Sequence, residues 1–348
     1  GSEMCIRDSL YLSDGWHKGA AMSGLTYDRY IDQWNKPGFW EVDLSKFPQD
    51  LHPILNKAEQ YGMKKGMWFC PDQTDDYVNY EKDLAVVLHM YKEYGINKVK
   101  FDAITFHTKL AEGRIRKIMQ GFVDSTGGDA FVEIDVTAGI RPGYFDCMQY
   151  GFLFLENRYT DWRKWYPHCS LRNLWQLSHF VDPRRLRIEV LNNERNKDKY
   201  PDDPLAPYLY SPEWLYVSTL FTNPLLWFEI SNLSDDYKKR LKEIIALCRP
   251  IHKEIAKSNV YPIGEEPDGF SLSGFMSVDE NGGGYAAVFR SAGNEASQIM
   301  KVPIQDCKYE FILLSGCGKE FSCDSKDEIT FPIVENFGYS LYAFNPII

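Results

Sequence analysis

From Leu10 to about Ile255 the chain alternates short apolar runs with stretches whose apolar residues recur every three or four positions. The runs "LYLS" (Leu10–Ser13), "KKGMWFC" (Lys64–Cys70), "KVKFDA" (Lys98–Ala103) and "AFVEIDV" (Ala130–Val136) predict strands. So do "GFLFLE" (Gly151–Glu156), "LRIEVL" (Leu186–Leu191) and "LLWFEI" (Leu225–Ile230), and "FWEVD" (Phe39–Asp43) is expected as a further strand. Helices are expected between them. "EKDLAVVLHMYKEYG" puts Leu84, Val87, Leu88 and Tyr91 on one face and stops at Gly95. "LHPILNKAEQYG" follows Pro48 and stops at Gly62. "SDDYKKRLKEIIALC" has Ser234 as N-cap, two aspartates in its first turn, and an apolar face of Tyr237, Leu241, Ile244, Ile245 and Cys248.

Eight strands, each followed by a helix or long loop, predict an α/β fold of the (β/α)8 TIM barrel type. A doubly wound sheet is the competitor, but no GxGxxG follows the first strand. After Ser258 the helical period disappears. "GFSLSGFMSVDENGGGYAAVFRSAGNE" reads as two strands joined by a Gly-rich turn, and "YEFILLSG", "EITFPI" and "YSLYAF" add more. The expected organisation is a leader or tag over 1–9, a catalytic barrel over 10–257 and a small all-β C-terminal domain, an antiparallel β-sandwich, over 258–348.

Charge narrows the partners. The net charge is −10, which argues against nucleic acid, because phosphate binding needs a basic surface. No apolar run reaches the length of a membrane span. The eight cysteines are scattered, with no CxxC pair and no zinc-type Cys/His spacing, which favours a reducing compartment such as the cytoplasm. No signal peptide precedes the first strand. The seven histidines show no metal spacing either, so neither metal nor cofactor is expected. A homo-oligomer is compatible with the sequence. Aromatic residues make up 15 %, and flat rings stack on the C–H faces of sugars.

Chemistry concentrates where a barrel would carry it, at the C-terminal ends of the strands. Lys100 and Asp102 share one face of an otherwise internal strand, because side chains two apart point the same way. They are either a structural ion pair or a catalytic carboxylate beside a substrate-binding cation. Asp14 and Trp16 end the first strand; Trp68 and Asp72 end "KKGMWFC". Glu133 and Asp135 follow, with Arg141 placed to neutralise one of them, and then Glu156, Arg158 and Asp161. Asn192, Asn193 and Glu194 end the next strand, and Trp227 and Glu229 lie in the last. So many acids on one rim repel each other unless something binds there.

Two carboxyl groups flanking an anomeric carbon are what glycoside cleavage requires. Asp102 is the candidate nucleophile, kept ionised by Lys100. Glu156 is the candidate acid, with Asp161 as rival. Asp14, Lys100, Asp135, Arg141 and Arg158 are candidate hydroxyl partners. Trp16 and Trp68 are either sugar walls or core packing. The substrate implied is an oligosaccharide or glycoconjugate. "RKWYPH" (Arg163–His168) reads as a loop at the substrate mouth, Glu194 with Arg195 as a solvated pair, and "NGGG" as a hairpin turn rather than a phosphate loop.

Several of these segments resemble the melibiase-type α-galactosidases of glycoside hydrolase clan D. "LYLSDGW" is similar to their "DDGW" element, and "KFPQDLHPILNKAEQYGMKKGMWFCPD" to their "KFP-x-x-L" and "G-x-x-x-G-x-W-x-x-P" section. "VKFDA" resembles their "K-x-D" strand, and "VEIDVTAGIRPGYFD" their "C-x-x-G-x-R-x-D" segment. The resemblance covers roughly residues 10 to 255 and implies a retaining, exo-acting, cofactor-free enzyme on a (β/α)8 barrel. It implies Asp102 as nucleophile and Asp14, Lys100 and Arg141 on sugar hydroxyls. Three departures stand out. Ser13 replaces the family's first aspartate, Asp135 stands where many members have cysteine, and the strand-six acid motif reads "LENRYTDWRKWYP" instead. The alternatives that remain are an α-N-acetylgalactosaminidase, a transglycosylase, or a non-catalytic carbohydrate-binding barrel.

Overall fold

The computed structural model describes the chain except residues 1, 6–8, 20–30, 137–146, 156–163, 228–229, 294–296, 325–326, 334 and 348. Its elements run β1 (Ser2–Cys5), β2 (Ser9–Leu12), α1 (His52–Gln60), β3 (Lys64–Phe69), α2 (Tyr80–Tyr94), β4 (Lys98–Phe101), α3 (Lys109–Ser125), β5 (Phe131–Asp135) and β6 (Gly151–Leu155). Then follow α4 (Pro167–Leu177), β7 (Leu186–Glu189), α5 (Pro212–Val217), β8 (Asn223–Leu226) and α6 (Asp235–Ile255). The chain ends in β9 (Asn259–Gly264), β10 (Ser273–Val278), β11 (Gly284–Phe289), β12 (Ser297–Lys301), β13 (Lys308–Gly316), β14 (Phe321–Asp324), β15 (Glu328–Pro332) and β16 (Tyr339–Pro346). The chain divides into two compact units, residues 1–156 with 225–227, and residues 157–224 with 228–348.

In the first unit β2 to β6 pair in parallel in chain order. β1, in the stretch read as a leader, is antiparallel both to β2 and to Leu225–Leu226 of β8. The result is a curled, mostly parallel sheet, with helices in the connections after β3 and β4. The expected strand at Phe39–Asp43 is not one. Pro37-Gly38 turns the chain, with Gly38 at φ +69°, and Phe39 and Glu41 donate their N–H groups back to Lys36 and Gly38. What remains of pairing there is a single bridge between His17 and Val42. The strand expected at Leu225–Ile230 begins earlier, at Asn223, and ends before Trp227.

Helix α2 stops where Gly95 adopts the left-handed conformation at φ 66°, as a C-cap glycine should. Its buried face, however, is Asp83, Val87, Met90 and Tyr94, one residue round from the expected stripe. Thr108, the N-cap of α3, accepts from the Ala111 N–H, and Ser234 caps α6 through the Tyr237 N–H. Of "RKWYPH", residues 164–166 lie outside any helix or strand, and Pro167, which suits the first position of a helix, opens α4; Arg163 lies outside the described residues.

The second unit carries α4, β7, α5 and α6, then two antiparallel sheets: a six-stranded one in the order β14-β13-β16-β11-β10-β9, and the pair β12-β15. The hairpin β10–β11 is closed by the Gly-rich turn that the sequence signals, with Gly282 at φ +81°. Alternate residues of these strands build a core that includes Met276, Val288, Phe311, Phe331, Tyr342 and Phe344. Burying each such aromatic or aliphatic side chain contributes about 1.5–3 kcal/mol.

Candidate functional site

The site in the first unit follows from strand parity. The register pairs Tyr11 with Gly66, Trp68 with Lys100, Lys100 with Glu133, Glu133 with Phe152 and Asp135 with Phe154, so these residues share one face of the sheet. Tyr11 lies across Gly66, where a Cβ would come within 2.6 Å of the ring. The glycine therefore makes room for the Tyr11 hydroxyl to donate to the buried Glu133 carboxylate. One step nearer the N-terminal ends, the Lys98 ammonium donates to Ser9 Oγ at 2.6 Å.

Lys100 is fully buried, and its Nζ lies 3.8 Å from the Phe154 ring centroid and 3.7 Å from that of Trp227. Two aromatic faces thus attract the ammonium, a favourable arrangement for a desolvated cation. Asp135 is also buried. Charged groups on an inward strand face are costly unless they hold one another or a ligand.

Asp102 sits at the C-terminal end of β4. Its N–H extends the ladder to Phe69 O at 3.0 Å. Its carboxylate is held from two sides, by the Trp68 indole N–H on Oδ2 at 3.0 Å and by the Ala103 N–H on Oδ1 at 2.6 Å. Ala103 pays for that turn with a left-handed φ of 54°, unusual for a residue with a side chain. The β3–α2 connection fixes the strained loop. Gln73 donates to Ala103 O at 2.5 Å, and the Tyr77 hydroxyl bonds both N–H and C=O of Thr105 at 2.9 Å. Asp72 organises that connection in turn, accepting from Thr74 and Asn79.

Trp68 is 4 % exposed and Trp16 is 1 % exposed. Their indole N–H groups are both committed to the protein, Trp16 to Trp68 O at 3.0 Å and Trp68 to Asp102. Behind Trp68 the His17 ring lies parallel at 6.1 Å, with an interplanar angle of 3°. His17 Nδ1 is 3.1 Å from Phe39 O, and its Nε2 stands 3.7 Å from Asp14 Oδ1. A continuous set of contacts therefore runs from Asp14 through His17 and Trp68 to Asp102.

Of the residues singled out in the sequence, Asp14, Trp16, Trp68 and Asp102 are joined by these contacts, and Lys100 and Asp135 lie on the same face of the sheet as Trp68. Arg141, Glu156, Arg158, Asp161 and Glu229 lie outside the described residues. Tyr11, His17 and Tyr77 were not singled out; nothing in an ordinary apolar or loop context marks a tyrosine or histidine as a scaffold. Among the described residues no group of three His, Cys, Asp or Glu could hold a metal ion, and no helix is long and apolar enough to cross a membrane.

The second unit has charged groups of its own. Arg187 and Glu189 of β7 are both buried and share a face of one strand. The sequence carried that signal, since "LRIEVL" repeats the i, i+2 spacing of Lys100 and Asp102. Asp203 accepts from the Tyr166 hydroxyl at 2.7 Å and from the Leu205 N–H, with Lys164 3.8 Å away. Against the upward push of burial these donors hold Asp203 below the usual carboxylate range. Burial, then Asp203 itself, pushes Tyr166 up to about 12.

No protein-family model and no curated protein sequence matches the chain. Solved structures do. A GH36 alpha-galactosidase variant from Geobacillus stearothermophilus, in complex with raffinose, superposes with a TM-score of 0.69 at 12 % identity, over 98 % of this chain and 51 % of that one. The alpha-galactosidase from Lactobacillus brevis gives 0.68 at 13 % identity, over 97 % and 50 %. A Bacteroides fragilis chain gives 0.63 at 13 % identity, over 99 % of this chain and 81 % of its own. The chain spans about half the length of the first two. What this likeness shows is a shared fold, that of the alpha-galactosidase structures whose motifs the sequence resembles.

Proposed function

We propose that the chain is the catalytic part of a retaining, exo-acting glycoside hydrolase that cleaves terminal α-galactosides. The observation that carries the reading is Asp102, at a strand's C-terminal end, half-buried, with one N–H donor on each oxygen. The two donors fix the carboxylate plane, as a nucleophile requires. The shared fold supports it, and among the structures of that fold some are complexes with raffinose and stachyose. An oligosaccharide with a terminal galactose is the corresponding substrate here. The finer architecture belongs to the same proposal: a (β/α)8 barrel over 10–257 and a β-sandwich over 258–348.

In the first step Asp102 attacks the anomeric carbon. The bond to the leaving oxygen breaks, and a carboxylic acid protonates that oxygen. Glu156 is assigned this role, with Asp161 as the alternative. In the second step the same group, now a base, takes a proton from water, which displaces Asp102 and restores the enzyme. Asp14, Lys100 and Asp135 are assigned to set the charge at the sugar's hydroxyls, and Arg141 and Arg158 to the rim. Neither metal nor cofactor enters this chemistry.

Asp102→Asn should abolish release of the aryl group from an aryl α-galactoside while the galactoside still binds. Unchanged turnover in that variant excludes the mechanism. Saturable binding without release by the unmodified protein would favour the carbohydrate-binding alternative, and preference for an α-N-acetylgalactosaminide would reassign the 2-substituent near Asp135.

A further inference from the structure

Residues 75–77 of the β3–α2 connection hold a backbone that L-residues rarely keep. Asp75, Asp76 and Tyr77 lie in the left-handed region one after another, at φ 44°, 57° and 63°. Residues with a side chain visit that region singly, because Cβ crowds the following carbonyl. A consecutive run persists only where its surroundings hold it. From Thr74 to Tyr77 every carbonyl has a donor. Thr74 O accepts from the Val78 N–H at 2.9 Å, and Tyr77 O from the Tyr80 N–H at 3.1 Å. Arg114 of α3 takes the two between them. Its Nη1 donates to Asp75 O at 2.7 Å and to Asp76 O at 3.0 Å.

Both ends of this turn reach the loop behind Asp102. Gln73, just before it, donates to Ala103 O at 2.5 Å. Tyr77, its last residue, is buried, and its hydroxyl bonds the N–H and C=O of Thr105 at 2.9 Å. Between these ties lies Ala103, whose own left-handed φ aims its N–H at Asp102 Oδ1. The other oxygen is held separately, by the Trp68 indole on β3.

We propose that Arg114 is a positioning residue for the Asp102 carboxylate, acting through the left-handed turn that it clamps, a role that rests on the glycosidase reading above and deepens it. A guanidinium suits the task. One Nη carries two hydrogens, enough for two successive carbonyls, and the group stays charged at any pH the protein meets. Without the clamp the turn relaxes toward ordinary backbone, the Tyr77 hydroxyl leaves Thr105, and Ala103 loses what holds its N–H on Oδ1. Trp68 alone then aims the carboxylate.

Arg114→Ala, assayed on an aryl α-galactoside beside Asp102→Asn, tests this on the full chain. Its kcat should fall about 10- to 100-fold, the scale of a misplaced reacting group, with KM nearly unchanged. Guanidinium ion well below denaturing concentrations should restore part of kcat. Asp75→Gly in the same background should do so too, because the Asp75 side chain is exposed and glycine adopts a left-handed φ unaided. Exchange of the Ala103 amide, followed by NMR, should quicken about tenfold in Arg114→Ala. The Asp102 amide, bonded to Phe69 O, should keep its protection. Unchanged kcat in Arg114→Ala, with Asp102→Asn inactive, overturns the proposal and leaves the glycosidase reading standing. A fall that neither guanidinium nor Asp75→Gly reverses also overturns it, as does equal loss of protection at both amides, which marks general destabilisation. If Asp102→Asn turns over normally, the glycosidase reading fails, and exchange alone decides whether Arg114 holds the loop; unaltered Ala103 protection then overturns the proposal. If Arg114→Ala does not fold, Arg114→Lys replaces it under the same criteria, with a smaller fall expected because an ammonium lacks the fork.

Discussion

Trp68→Phe separates positioning from packing. The substitution keeps an aromatic ring in the slot between His17 and the β3–β4 ladder but removes the indole N–H that donates to Asp102 Oδ2 at 3.0 Å. A hydrogen bond to a charged group contributes about 1.5–3 kcal/mol. The Ala103 N–H still holds Oδ1 at 2.6 Å, so the carboxylate stays in place but Oδ2 is less tightly aimed. If the indole bond is needed to aim the attacking oxygen, most of its worth appears in the barrier, and kcat falls about 10- to 100-fold. KM should move little, since Trp68 is buried behind Asp102 and its N–H is already committed. The smaller ring also leaves a partial void, worth about 1–2 kcal/mol of stability. Initial rates on an aryl α-galactoside across a concentration series give kcat and KM separately, and a thermal melt confirms that the variant is folded at the assay temperature. A folded Trp68→Phe protein with unchanged kcat, beside an inactive Asp102→Asn protein, would refute the positioning role.

Two further outcomes test the scaffold. Gly66→Ala places a Cβ 2.6 Å from the Tyr11 ring, which is itself fully buried, so the ring must move away from Glu133. A loss of about 1–3 kcal/mol is expected, read as a lower denaturant midpoint; an unchanged midpoint would mean that Tyr11 has somewhere else to go. Asp203 is held below the usual carboxylate range, so the stability it lends is present above pH of about 4 and is lost as acid protonates it. Asp203→Asn should therefore flatten the acid side of the unfolding midpoint plotted against pH, and an identical acid limb would show that Tyr166 and Lys164 do not bear on stability.

Strand existence was legible because the first unit's apolar runs are short and bounded by Gly, Pro or charge; β2 to β6 appear within a residue or two of their expected places. The miss at Phe39–Asp43 has a local cause. Three aromatic or β-branched residues favour a strand, but Pro37-Gly38 makes a turn cheaper, and Phe39 and Trp40 then pack against His17. In α2 the period was right and the phase was off by one residue. Periodicity treats Asp83 as polar and turns it outward, whereas Trp34, about fifty residues earlier, supplies the donor that lets it turn inward. Long-range hydrogen bonds of this kind leave no mark in a local pattern. Lys100 and Asp102 were legible for the opposite reason, because a charge inside an apolar strand contradicts its surroundings.

That contradiction is the physical link between sequence and site. A strand of four residues with both faces covered needs no ions, and each ion buried there costs several kcal/mol of hydration unless partners repay it. Lys100 is repaid in part by two ring faces, Glu133 in part by a tyrosine hydroxyl, and Asp102 by two N–H groups, one of which requires a left-handed alanine. Apolar residues of similar size would fill the same space without a glycine at position 66 or strain at position 103. The sheet bears those costs on one face and towards one end. Arg187 and Glu189 on β7 repeat the spacing, both buried. In the first unit, fixed and desolvated groups of this kind stabilise developing charge without reorganising, which is what the proposed glycoside cleavage would use.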